Sequence, residues 1–338
     1  MRLRNFLTIG RGLGLMLGAL TLTVPTFAES QYKAPRTADG HPDFQGFWEN
    51  DIATPLQRPL EIADRPTLTD AEVAKMRQKA QEMFTGKSDA VFFDGFYPAV
   101  LDNVLGIKQG FKSADGETGD YGSEWNDTRT WENRTSLITD PPDGRIPGLM
   151  PRAVEARAAA RGRFAQTWDV KDRPLGERCI TYGSPQLTAG YQSYYQVVET
   201  PGAVMIMTEM FHDVRVVKLN NSHHPPSNVQ EWLGDSIGHW EGDTLVVDTT
   251  NYRPRAFQSI TSDKLHIIER FTRQDAETLR YEITVDDPDT YSRPWSLMVP
   301  LHRSSKPVYE YACHEGNYSL AGILAGARAD EEKRAESK

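Results

Sequence analysis

The sequence predicts a mainly β protein, an antiparallel meander closing into a barrel, with a helical and irregular N-terminal insertion. Three observations carry this expectation. β-rich runs crowd the C-terminal half, turn residues separate most of them, and apolar and polar side chains alternate along the clearest ones. The runs cover residues 191–199, 203–210, 213–219, 237–240, 244–250, 265–272, 278–286, 295–302 and 308–313. Pro201-Gly202, Glu241-Gly242-Asp243 and Gln274-Asp275-Ala276 supply turns between them. Strands joined by such short connections pair antiparallel. A barrel removes the exposed edges that an open sandwich, the alternative, would keep. In 278–286, Leu279, Tyr281, Ile283 and Val285 share one face, and Arg280, Glu282, Thr284 and Asp286 the other.

Ahead of the strands, Thr69 and Glu72 form a capping-box pattern. Val73, Met76, Ala80 and Met83 then recur at helical spacing up to Gly86. A second helix is predicted from Pro151 to Gly162. Residues 86–150 otherwise read as irregular, with a glycine- and acid-rich loop at 110–122 and a Pro141-Pro142-Asp143-Gly144 turn. The organisation expected is a signal at 1–28, an N-terminal segment with a first strand at 29–190, the barrel at 191–320 and a charged tail at 321–338.

Arg2, Arg4 and Arg11, an uncharged apolar stretch over 12–24 and small residues before Glu29 have the form of a secretory signal cleaved after Ala28. The apolar stretch is shorter than the roughly 20 residues a membrane span needs, so no membrane anchor is expected. Losing three arginines takes the net charge from −9 to −12. With that acidity and no basic run beyond two residues after the signal, nucleic acid is not an expected partner. In an oxidising compartment Cys179 and Cys313 are expected to pair. The alternative is a catalytic thiol beside His314.

Several runs resemble a large family of exported bacterial proteins abundant in Acidobacteria and Proteobacteria. They are DGHPDFQGFW at 39–48, DPPDGRIP at 140–147, PLGERC at 174–179, WLGDS at 232–236, HWEGDTLVVDTTN at 239–251 and YEYACHEGNY at 309–318. The resemblance implies export and brings no activity. Gly46-Phe47-Trp48 is also similar to the Gly-x-Trp pattern that opens lipocalin barrels, which implies a lipocalin-like barrel.

No nucleophile elbow, zincin helix or phosphate loop is present, so serine hydrolase, zincin and nucleotide-binding chemistries have no local support. Neither a cofactor nor a metal set is assigned. Seven of the eight histidines fall in the β-rich half. Imidazole titrates near neutrality, and one histidine with one carboxylate suffices for proton transfer. His212, His239 with Glu241, His266 and His314 are therefore the candidate acid–base groups. A metal site, or histidines with structural roles alone, are the competing readings. The long connection over 220–236 carries His223 and His224 and reads as a barrel-rim loop. With Trp240, Tyr281 and Trp295 these two complete the expected binding set. The function expected is an exported lyase, isomerase or hydrolase acting on a small, largely apolar or aromatic molecule. A non-catalytic periplasmic carrier of such a ligand is the alternative.

Overall fold

Ten strands form one sheet in the computed structural model, which describes residues 32–84, 89–91, 93–111, 128–165, 169–187, 189, 193–220, 223–257 and 260–337. The signal expected at 1–28, the Gly86 stop, most of the 110–122 loop and Tyr191 lie outside the described residues. The strands are β1 (Gly46–Glu49), β2 (Ile138–Asp140), β3 (Tyr194–Thr200), β4 (Ala203–Thr208), β5 (Val214–Lys218), β6 (Asp235–Glu241), β7 (Thr244–Thr250), β8 (His266–Arg273), β9 (Thr278–Asp286) and β10 (Trp295–Ser304). They pair in the order β1-β3-β4-β5-β6-β7-β8-β9-β10, and β10 returns to β1 to close a nine-stranded barrel. β2 adds to the free length of β10.

Two features depart from the expected meander. First, β5 and β6 run parallel, meeting only at Val217 with Ser236 and Lys218 with Ile237. Tight turns force antiparallel pairing, but residues 219–234 are long enough to bring the chain back and start β6 in the same direction. Gly238 allows the contact, because a Cβ there would lie 2.7 Å from Val217 Cγ1. Second, 308–313 is not a strand. The Tyr309 amide donates to Glu209 Oε2, and the Tyr309 carbonyl oxygen lies 2.8 Å from His212 Nε2. Side chains of the 209–212 turn thus hold this segment, and β1 fills the wall position instead.

Alternation decides what lies inside. Trp48, Trp295, Leu245, Ile267, Leu279 and Ile283 are among the largest fully buried side chains. Trp48 donates its indole NH to the Phe44 carbonyl, with Arg273 above its ring. A polar group crosses this interior: Arg215 of β5 grips Glu269 of β8 with both terminal nitrogens, and Tyr281 of β9 donates its hydroxyl to the same carboxylate.

The helices are α1 (Asp70–Met83), α2 (Phe96–Val104), α3 (Pro151–Ala165) and α4 (Tyr318–Glu336). The Thr69–Glu72 capping box opens α1, which buries Val73, Met76 and Ala80 in a small core shared with Val100 and Leu101 of α2. α3 runs past Gly162, and α4, capped by Asn317, stands where a charged tail was expected. No helix among the described residues is long and apolar enough to cross a membrane.

Cys179 and Cys313 form a disulfide across 134 residues, tying the chain between α3 and β3 to the chain after β10. Replacing both with serine is expected to cost about 2–5 kcal/mol, since the unfolded chain regains the freedom of a long loop. A urea unfolding midpoint unchanged from the parent protein would contradict this.

Glu199, at the end of β3, accepts the Phe44 amide at 2.5 Å. Burial pushes its carboxyl up to about 7; the Phe44 hydrogen bond opposes the rise, and Asp43 and Asp39 add to it. The folded protein therefore holds a proton that the unfolded chain releases between the ordinary value of 4.5 and about 7. Stability from this group is present below that window and is lost as pH rises through it. Glu199→Gln keeps the acceptor and is expected to flatten the fall in Tm from pH 5 to 7. Superimposable Tm–pH curves for variant and parent would contradict it.

Candidate functional site

The parallel pairing leaves the first half of β5 without a neighbour on one side, and a cleft of about 590 Å³ opens there through the barrel wall. Its walls come from Thr181, from β5 and from residues 230–236. Gly234, at φ +70°, allows the second wall to lie against β7, because a Cβ would sit 2.7 Å from both Thr249 Cγ2 and the Thr250 carbonyl oxygen. Asn251 pins the rest of the connection, donating to the carbonyls of Pro225, Pro226 and Val229.

Three acidic residues line this cleft: Asp213, Asp235 and the exposed Glu231. Asp213 accepts the Thr181 hydroxyl at 2.5 Å, and burial raises its pKa against the opposing hydrogen bonds from Thr181 and the Tyr182 amide. Phe211 and His212, immediately before it, both have left-handed backbone, with φ 65° and 50°. Such strain in non-glycine residues persists only where the surroundings over-determine it. The second carboxylate, Asp235, accepts from Lys218 Nζ at 2.5 Å and lies 2.8 Å from His224 Nδ1.

From Asp235 a chain of polar groups runs over the outer face of β6, β7 and β8. The other nitrogen of His224 lies 3.2 Å from Asp248 Oδ1, and His266 Nε2 lies 3.0 Å from the same oxygen. Burial raises the Asp248 pKa, but the hydrogen bonds and charges of His266 and His224 outweigh it and hold the carboxyl below its ordinary value. The Asp248 hydrogen bond raises the His266 pKa, opposed by burial. Among the described residues no set of three or more His, Cys, Asp or Glu is placed to hold a metal ion.

Arg215, 5% exposed, lines the cleft on β5, and its guanidinium is held by Glu269, 0% exposed. Trp232 forms an aromatic wall, with Arg253 over its ring at 5.1 Å.

The residues singled out from sequence fall in several places. His224 and His266 come together through Asp248. His239 and Glu241 meet at 3.2 Å, but on the exposed outer face, where Glu241 also takes Arg270. His212 is bound to the Tyr309 carbonyl oxygen, while His223 and His314 are exposed. Trp295 and Tyr281 are packed in the barrel core, and Trp240 stacks on His41 at 4.6 Å. Sequence reasoning passed over Asp213, Arg215, Asp235, Asp248 and Glu269. One signal was available for two of them: Arg215 and Glu269 occupy inward positions in their runs, in phase with Val217 and with Ile267 and Phe271.

A barrel with one short parallel strand pair, and with carboxylates, cationic side chains and an indole lining the cleft beside it, is the class this chain defines. No family model, curated protein or solved structure matches the chain.

Proposed function

We propose that this protein is an exported enzyme that holds a small, largely apolar or aromatic molecule in the wall cleft and moves protons on it, as a lyase, isomerase or hydrolase. The observation that carries the reading is Asp213, a carboxyl at the cleft with a raised pKa, presented by two consecutive strained residues. A carboxyl tuned toward neutrality exchanges protons more effectively at working pH. Asp235, coupled through His224 to Asp248 and His266, supplies the second proton-handling group. Trp232 stacks the ligand. The expected lumen site moves to the wall because the barrel interior is occupied by Trp48, Trp295, Tyr281 and the Arg215–Glu269 pair. The Cys179–Cys313 disulfide and the form of residues 1–28 support export.

The test is incubation with a panel of aromatic ketones, lactones and esters in D₂O, followed by NMR. Deuterium incorporation beside a carbonyl, or product formation, is expected for at least one class. Binding of panel members with neither outcome would overturn the reading in favour of a carrier.

A further inference from the structure

A second cavity, of about 460 Å³, shares Trp232 with the wall cleft and carries four basic side chains in its lining. Arg163 comes from α3, Lys171 from a single helical turn over Val170–Asp172, Arg178 from the turn before Cys179, and Arg255 from the turn after β7. Asp172 is the one acidic residue in the lining. We infer that this cavity is an anion-binding site that takes a doubly charged oxyanion group, held between the arginines and beside the Trp232 ring.

Three features carry the inference. Arginine side chains are normally matched to carboxylates, yet Arg163, Arg178 and Arg255 make no ion pair with a described residue. The buried Nε of Arg163 has no hydrogen-bond partner, and a buried donor in that state calls for an acceptor. Arg255 has left-handed backbone, φ 69°, and is held there beside like charges. Desolvation, followed by the Arg163 and Arg178 charges, lowers its pKa, and Asp172 opposes them. Lys171 is paired with Asp169 at 3.7 Å, and the three arginines against Asp172 leave an excess of positive charge that a dianion offsets better than a monoanion. The planar guanidinium fork matches oxyanions in two-point contacts.

All six non-glycine residues with left-handed backbone among those described, Cys179, Phe211, His212, Asn220, Asn251 and Arg255, lie within two positions of a residue lining this cavity or the wall cleft. Left-handed backbone therefore borders the lining segments of both. Because Trp232 lines both, the anion site is a neighbour of the proposed reaction site and does not depend on it.

Titration calorimetry with inorganic phosphate at low ionic strength tests the inference, with succinate and acetate as further arms. Phosphate is expected to bind with a dissociation constant of about 0.1–1 mM, and acetate at least tenfold more weakly. Succinate tighter than phosphate identifies paired carboxylates as the natural group; phosphate tighter identifies a phosphate or sulfate ester. Arg255→Gln and Arg178→Gln are each expected to weaken binding about tenfold or more, the effect of one lost charge-assisted contact. Without phosphate, Arg255→Gln is expected to match or exceed the parent protein in Tm, because it removes a charge repelled by its neighbours. Asp213→Asn is expected to keep phosphate binding, so failure of the acid–base proposal leaves this result standing. No phosphate response beyond an equal-ionic-strength chloride control, or full binding in both arginine variants, would overturn the site.

Discussion

Glu269→Ala is expected to destabilise the protein by about 3–5 kcal/mol, the largest effect of any single substitution considered. Glu269 is 0% exposed and Arg215 5%, and both carboxylate oxygens are bound by the guanidinium. Removing one partner leaves an uncompensated charge inside the barrel, which costs far more than the pair contributes when intact. The Tyr281 hydroxyl loses its acceptor in the same step. Arg215→Met combined with Glu269→Leu removes both charges and is expected to recover most of the loss, as apolar replacements of buried pairs commonly do. Chemical denaturation of the three proteins decides it. A single variant within about 1 kcal/mol of the parent would mean that water or rearrangement screens the arginine.

The barrel was legible in the sequence because strand alternation is a local signal. Leu279, Tyr281, Ile283 and Val285 are all buried, as their spacing requires. Strand direction is not local: Val214–Lys218 and Asp235–Glu241 carry no mark of parallel pairing beyond the length of chain between them. β1 is four residues long, too short to show alternation, and only the Gly46-Phe47-Trp48 pattern hinted at it. The 308–313 run has strand composition but no ladder, because side chains of Glu209 and His212 hold it.

The site was less legible, for a related reason. Pairs close in sequence were the ones sequence reading found, and His239 with Glu241 does meet, on the exposed face. The coupled chain instead uses Asp235, Asp248 and His266 on successive strands and His224 from the connection. These groups become neighbours only through register, in which Ile237 faces Asp248 and Asp248 faces Ile268. Arg163 of α3 and Arg178 and Arg255 from two separate turns are likewise brought to one cavity only by the tertiary fold.

The central claim is that proton transfer takes place at the wall cleft. Asp213→Asn is nearly isosteric and keeps an oxygen for the Thr181 hydroxyl, so the local structure is expected to survive. Loss of a positioned acid or base lowers rates by roughly 10²- to 10⁴-fold. The direct measurement is the rate of deuterium exchange or product formation by parent and Asp213→Asn proteins on the same compound from the panel, with matched circular dichroism and Tm. The account predicts a fall of about 10²-fold or more in kcat, together with loss of the pH-dependent limb that the raised Asp213 pKa produces. A folded variant within about threefold of the parent, with the same pH profile, would contradict it.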